Sequence, residues 1–292
     1  MLHIGYTLTS EQTPMSEQTP MSEQSPPREL ADHAAAAERI GFDYAVISDH
    51  YLPWVEEMGH SPYYWSVLGA AAQATERLPL MTYVTYPIYH PAVVAQKAAT
   101  MGVLSQGRFT LGLGAGENTD EHVVGAGRPP VDTRHRMFAE AVLIIRKLFS
   151  GAYVTHQGQF YDVDSAKLYD LPERPVPIGI AASGGQSAEL AAEYADVLVV
   201  NEPRPEVVRQ FHAAGGEGRP VYGQLPIAYD TDPEDVAANV PCGDDVDAVL
   251  RAAKRFADAG YTHVALVQIG HDQQQSFFDW AEKELLPALR TL

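Results

Sequence analysis

Tyr44-Ala45-Val46-Ile47-Ser48-Asp49-His50-Tyr51-Leu52-Pro53-Trp54 opens as a short apolar run and ends in an acid, an imidazole and an indole. A buried strand rarely ends in Asp-His by chance, because both groups need partners once taken out of water. At the C-terminal end of a parallel strand such a cluster points at the crevice where α/β proteins bind ligands.

The pattern repeats outward from this stretch. Candidate strands are His3–Thr9, Tyr44–Ser48, Leu80–Thr85, Phe109–Gly114, Pro177–Ala182, Val197–Asn201, Pro220–Ile227 and His263–Gln268. Candidate helices lie between them at Glu29–Ile40, Val67–Glu76, Ala92–Leu104, Thr133–Phe149, Ser187–Tyr194, Glu206–Ala214 and Val246–Ala259, with a last helix at Gln275–Leu289. In Arg136–Phe149 the apolar residues Met137, Ala141, Ile144, Ile145 and Leu148 recur at the spacing of one buried helix face. Eight strand–helix alternations in 292 residues predict one α/β domain over residues 1–292, a (β/α)8 TIM barrel. A doubly wound open sheet is the competing pattern. Tyr153–Tyr169 alternates polar and apolar residues around Gln157-Gly158 and reads as a β-hairpin excursion after the fourth helix. The connection before the last strand, between Ile227 and Val246, is short and acidic.

Composition narrows the function. A net charge of −18 argues against nucleic acid and anionic membrane partners. An anionic ligand must therefore be held locally, by backbone N–H groups or a few Arg and His. Cys242 is the only cysteine, so no intrachain disulfide forms, which fits a reducing cytoplasm. Neither a leader peptide nor a membrane span is visible. Despite eleven histidines, no H-E-x-x-H or Cys/His cluster predicts a metal.

Three further motifs carry chemistry. Leu111-Gly112-Leu113-Gly114-Ala115-Gly116-Glu117 puts glycines at a strand end, where a flat ligand can approach the backbone and Glu117 follows; a purely structural Gly-rich turn is the alternative. Ala182-Ser183-Gly184-Gly185 precedes a helix, so its N–H groups and the helix dipole can form an anion site; a simple helix cap is the alternative. Tyr83 and Tyr86 end the third strand and either pack or wall a ring. The repeat Ser10-Glu11-Gln12-Thr13-Pro14-Met15, copied at Ser16–Met21 and partly at Ser22–Pro26, lengthens the first loop. It reads as a neutral duplication or as a lid.

Taken together, Ser48-Asp49-His50 followed by Pro53-Trp54, the L-G-x-G-x-G-E motif and the tail from Gly270 to Leu289 resemble the luciferase-like superfamily of barrel flavoenzymes. The resemblance runs almost the whole length and is strongest to F420-dependent oxidoreductases of the glucose-6-phosphate dehydrogenase type. It implies F420, an 8-hydroxy-5-deazaflavin that carries hydride at C5, and a small-molecule substrate. It also implies that Asp49 binds the ring, that His50 is a general base or stabilises charge, that Trp54 packs near the transferred hydride, and that Glu117 is a second acid/base group. Tyr83 and Val84 match the family's non-prolyl cis peptide. Ala115, Gly116, Ser183, Gly184 and Gly185 match the stretches that hold the ring and phosphate side. A homodimer is expected by the same resemblance.

Three departures limit the resemblance. The family's Glu after the first strand could be Glu11, Glu17 or Glu23. A long segment before the last βα unit is missing between Tyr229 and Cys242. No lysine occurs from Leu168 to Ala253, and Asn201-Glu202-Pro203 follows the sixth barrel strand, so sugar phosphate is not the expected substrate. The expectation is hydride transfer with a neutral organic substrate at an alcohol/carbonyl or activated C=C or C=N centre. Its alternatives are an FMN-dependent monooxygenase and a non-catalytic barrel that binds a cofactor or partner.

Overall fold

The computed structural model describes residues 1–8, 25–53, 60–85, 88–116, 121–125, 127, 129–229, 240–269 and 274–292. The candidates Trp54, Tyr86 and Glu117, and all three of Glu11, Glu17 and Glu23, lie outside the described residues.

The chain runs β1 (His3–Thr7), α1 (Pro27–Ile40), β2 (Tyr44–Asp49), α2 (Tyr64–Ala74), β3 (Leu80–Thr85), α3 (Pro91–Leu104), β4 (Phe109–Gly114) and α4 (Val131–Leu148). The hairpin β5 (Val154–Gln157) and β6 (Asp162–Ala166) follows. Next come β7 (Ile178–Ala181), α5 (Gly185–Tyr194), β8 (Val197–Val199), α6 (Pro205–Phe211), β9 (Val221–Ile227), α7 (Val246–Asp258), β10 (His263–Gln268), α8 (Gln274–Trp280) and α9 (Leu286–Leu289). Strands β1, β2, β3, β4, β7, β8, β9 and β10 close in that order into a parallel barrel, and β5 and β6 pair outside it. This is the predicted (β/α)8 architecture with its hairpin excursion. Among the described residues, no helix is long and apolar enough to cross a membrane.

The helices begin and end where local chemistry dictates. Pro27 and Pro91 start α1 and α3, since the first turn does not use their missing N–H. Asp245 caps α7 by accepting from Ala248 N–H at 2.9 Å. Gly41, at φ +100°, ends α1 in the left-handed region. The predicted last helix is interrupted: α8 opens into a wide turn at Ala281–Leu285 before α9. Pro287 has no N–H to give back one turn, so the regular ladder cannot run through it.

Two apolar layers stabilise the barrel. Inside it lie Tyr44, Val46, Met81, Val197, Val199 and Ala265. Between barrel and helices lie residues such as Ala45, Ile47, Leu111, Ile180, Phe211 and Phe277. The alternation of β2 is explicit: Tyr44 and Val46 point in, Ala45 and Ile47 point out. At the N-terminal end His263 stacks between Tyr222, at 4.0 Å, and His3, at 4.5 Å between ring centres. Burial, and secondarily His3, push the His263 imidazole down to about 3, so an aromatic stack with a neutral imidazole at its centre floors the barrel.

Two buried-side carboxylates tie loops to helices. Glu140 on α4 accepts from the N–H groups of Gln159, Phe160 and Tyr161 at 2.9–3.2 Å, and lies 3.4 Å from His156 Nε2. Glu38 on α1 accepts from Glu76, Arg77 and Leu78. Burial pulls both carboxyls up, but the hydrogen bonds outweigh it and hold both below the ordinary carboxylate value. A depressed carboxyl stabilises the fold above its unfolded value, and that stability disappears as pH falls through the folded value. Glu140→Gln is therefore expected to melt below the wild type at neutral pH, with the gap in thermal unfolding closing as pH falls through the depressed folded value of Glu140. A gap independent of pH would show that the charge contributes nothing.

Candidate active site

Residues paired in register share a face, which maps the inner wall. Thr7 pairs with Val46; Ser48 pairs with Tyr83, Tyr83 with Gly112, and Gly112 with Gly179. Gln224 pairs with Ala265. The upper half of the barrel is thus lined by Thr7, Ser48, Tyr83, Gly112 and Gln224. His50 follows directly on β2 and is half-buried at the same end of the barrel. Thr7 Oγ1 and Gln224 Nε2 are buried and have no hydrogen-bond partner among the described residues. Orphan polar atoms on an inner wall are what a bound polar ring would satisfy. The two donors, on β1 and β9, fit a polar heterocycle.

Asp49 goes the other way. Its side chain is 4 % exposed and points outward, between β2 and the helices. Trp65 Nε1–H donates to Oδ2 at 2.7 Å, and the Tyr89 hydroxyl donates to Oδ1 at 3.5 Å. Burial raises the Asp49 carboxyl above its ordinary value, against the Trp65 bond, the Lys97 charge, the Tyr89 bond and His50. Asp49 is thus held from the helix side, while the charge of the adjacent His50 still acts on it.

The glycine motif divides as well. A Cβ on Gly112 would meet Thr82 O at 2.5 Å and Tyr83 Cδ1 at 2.6 Å, so this chain's own Tyr83 occupies the space that a ligand was expected to use. Gly116, at φ +92°, requires the left-handed region, and its carbonyl accepts from Arg134 Nη1 at 2.5 Å. Ala115 and Gly116 thus form a loop braced from α4. The expected cis peptide at Tyr83–Val84 is corrected: no cis bond occurs among the described residues. Both residues instead continue the regular ladder, Tyr83 against Ser48 and Gly112, Val84 against Asp49 and Leu113.

Across the mouth, Ser183 and Gly184 lead into α5, which starts at Gly185. Ser187 Oγ accepts from the N–H groups of Ser183 and Gly184, both at 3.2 Å. Arg204 Nη1 donates to Ser183 O at 3.0 Å, while Gln186 reaches Asp132 at the start of α4. A Cβ on Gly184 would meet nothing within 4 Å, so this turn faces open space. Sequence reasoning missed Trp65, Tyr89, Lys97 and Arg134. Only Lys97 had a signal, as a lone cation in the apolar segment Pro91–Leu104.

Known proteins match this arrangement along its length. The luciferase-like monooxygenase family matches residues 2–277. The chain belongs to the luciferase-like family. Within that family, an F420-dependent glucose-6-phosphate dehydrogenase of Intrasporangium calvum is 32 % identical, with all of both chains covered. One from Microbacterium testaceum is also 32 % identical, over 99 % of this chain and 98 % of its own. Among solved structures, an F420-dependent secondary alcohol dehydrogenase in complex with an F420-acetone adduct superposes with TM-score 0.84 and 25 % identity, over 99 % of each chain. The F420-dependent tetrahydromethanopterin reductase of Methanopyrus kandleri (TM-score 0.75, 19 % identity, 99 % of each chain) shares the fold.

Proposed function

We propose that this luciferase-like barrel is an F420-dependent oxidoreductase that transfers hydride between the deazaflavin and a neutral organic substrate. The reacting centre would be an alcohol/carbonyl or an activated C=C or C=N bond. The observation that carries the reading is the barrel mouth itself. His50 just past β2, the Arg134-braced loop at Gly116 after β4 and the open turn at Gly184 after β7 all follow C-terminal strand ends of one parallel barrel, in a chain whose full-length relatives are F420-dependent. F420 supplies, when bound, a ring carbon that accepts or gives hydride.

The chain's own residues do the rest. His50 takes the proton from a substrate hydroxyl, or returns it, as the substrate carbon changes oxidation state. Thr7 and Gln224 offer polar atoms to the ring, and Ala115 and Gly116 let it approach the backbone. Ser183, Gly184 and Gly185 hold the phosphate side at the start of α5. By resemblance, Trp54 shields the reacting carbon and Glu117 is the second acid/base group. A homodimer in the cytoplasm belongs to the same reading.

Glucose 6-phosphate suits this site poorly. After β8 the chain offers Glu202 and one cation, Arg204, which is already engaged with Glu202 at 3.1 Å and with Ser183 O. No lysine lies between Leu168 and Ala253 to replace it. Titration with F420 and FMN, followed by a screen of neutral alcohols, carbonyls and activated double bonds beside glucose 6-phosphate, tests the reading. Binding of F420 with turnover of a neutral substrate is expected. Micromolar FMN binding with oxygen-dependent turnover would overturn it, and efficient oxidation of glucose 6-phosphate would overturn the substrate class.

A further inference from the structure

Lys97 has no ordinary reason to be where it is. It stands on α3 among buried Val94, Ala95, Ala98 and Ala99. Its ammonium is shielded from solvent and has no hydrogen-bond partner among the described residues. It lies instead 3.3 Å from the centre of the Tyr89 ring, 4.9 Å from that of Tyr63 and 5.3 Å from that of Trp65. Three aromatic faces around one ammonium form a cation–π cage. Two of these residues, Trp65 and Tyr89, are also the donors to Asp49. One pair of aromatic side chains therefore touches the cation with its rings and the carboxylate with its N–H or O–H.

Burial pushes Lys97 down to about 8 and pushes Asp49 up, and each charge opposes the other's shift. A buried cation without acceptors persists only where an opposite charge lies close. Among the described residues, the titratable groups meeting at this point are Asp49 and His50 at the end of β2, Tyr63 before α2, Tyr89 before α3, and Lys97 itself.

We propose that Lys97 is a positioning residue whose charge, held in the Tyr63–Trp65–Tyr89 cage, keeps Asp49 a carboxylate and so fixes the Asp49–His50 corner of the barrel mouth. The carboxylate then stabilises the imidazolium that forms when His50 takes a proton. The inference rests on His50 acting at the reacting centre, but the coupling of Lys97 to Asp49 can be read without cofactor or substrate.

The test compares wild type, Lys97→Met, Lys97→Arg, Asp49→Asn and the Lys97→Met/Asp49→Asn double variant. In thermal unfolding of the cofactor-free chain, the double variant should lose less than the sum of the two single losses. The gap between wild type and Lys97→Met should narrow as pH falls, because protonation relieves an Asp49 left without its counter-charge. In the F420-loaded enzyme the activity gap should move the opposite way. Without Lys97 the acid limb of kcat/KM shifts up by about one pH unit, roughly a tenfold loss on that limb, and Lys97→Arg recovers most of it. Additive unfolding losses, a gap parallel at every pH, or failure of Lys97→Arg to restore the acid limb would each overturn the proposal. Absence of turnover in the wild type would instead strike the proposed function and leave the unfolding cycle to decide the coupling.

Discussion

Replacing His50 with Ala is expected to lower kcat by about 10²–10⁴-fold, the range that a positioned acid or base supplies, while F420 still binds. The split follows from where the groups sit. The surfaces assigned to the cofactor are on other strands: the braced Ala115-Gly116 loop after β4, the open turn at Ser183 and Gly184 after β7, and Thr7 and Gln224 on β1 and β9. His50 follows β2 and belongs to none of them, so its truncation removes a proton acceptor and leaves those surfaces intact. A loss confined to kcat marks an interaction made in the transition state, whereas a loss confined to KM marks uniform binding. Stopped-flow reduction or oxidation of F420 at saturating substrate, with a separate binding titration, distinguishes the two. Unchanged turnover would remove His50 from the chemistry. Weaker F420 binding with kcat unchanged at saturating cofactor would make it a binding residue.

The barrel was legible because parallel strands buried on both faces read as short apolar runs between turn residues, and each of the eight candidates overlaps an observed strand. Boundaries were less so. The interruption at Ala281–Leu285 follows from Pro287, whose effect reaches back one turn from its own position. The early start of α2 at Tyr64 depends on Tyr64 and Trp65 being buried against neighbouring elements.

The site was legible as a set of strand ends and much less as a set of directions. Ser48-Asp49-His50 reads as one polar cluster, yet a period of two puts Ser48 on the inner wall and sends Asp49 to the helices. What Asp49 meets there comes from positions 16, 40 and 48 residues away, Trp65, Tyr89 and Lys97. Those contacts exist only once α2 and α3 pack on β2. Arg134 escaped notice for the same reason: its bond to Gly116 O joins the first turn of α4 to the loop before it.

The glycines give the other large expected effect, and they divide the two readings of glycine-rich strand ends. Gly112→Ala should cost about 3 kcal/mol, the upper end for overpacking, and lower Tm by about 6 °C or more. The added Cβ would stand 2.5 Å from Thr82 O, a backbone atom held in the same sheet, and 3.2 Å from Met81 Cε. Neither β3 nor β4 can yield without breaking the ladder between them. Tyr83, displaced from over Gly112, would carry the damage into the inner wall and weaken F420 binding together with stability. Gly184→Ala should do the reverse. Gly184 has extended backbone that any residue adopts, and nothing within 4 Å of a Cβ, so Tm stays at the wild-type value. If the turn before α5 receives the phosphate side of the cofactor, the methyl group nevertheless intrudes on the ligand, and F420 affinity drops without loss of fold. Differential scanning calorimetry paired with F420 titration separates the two. A Gly184→Ala chain that binds F420 as wild type does would move the phosphate side away from this turn. A Gly112→Ala chain of unchanged Tm would show that β3 and Tyr83 yield more readily than the ladder between them implies.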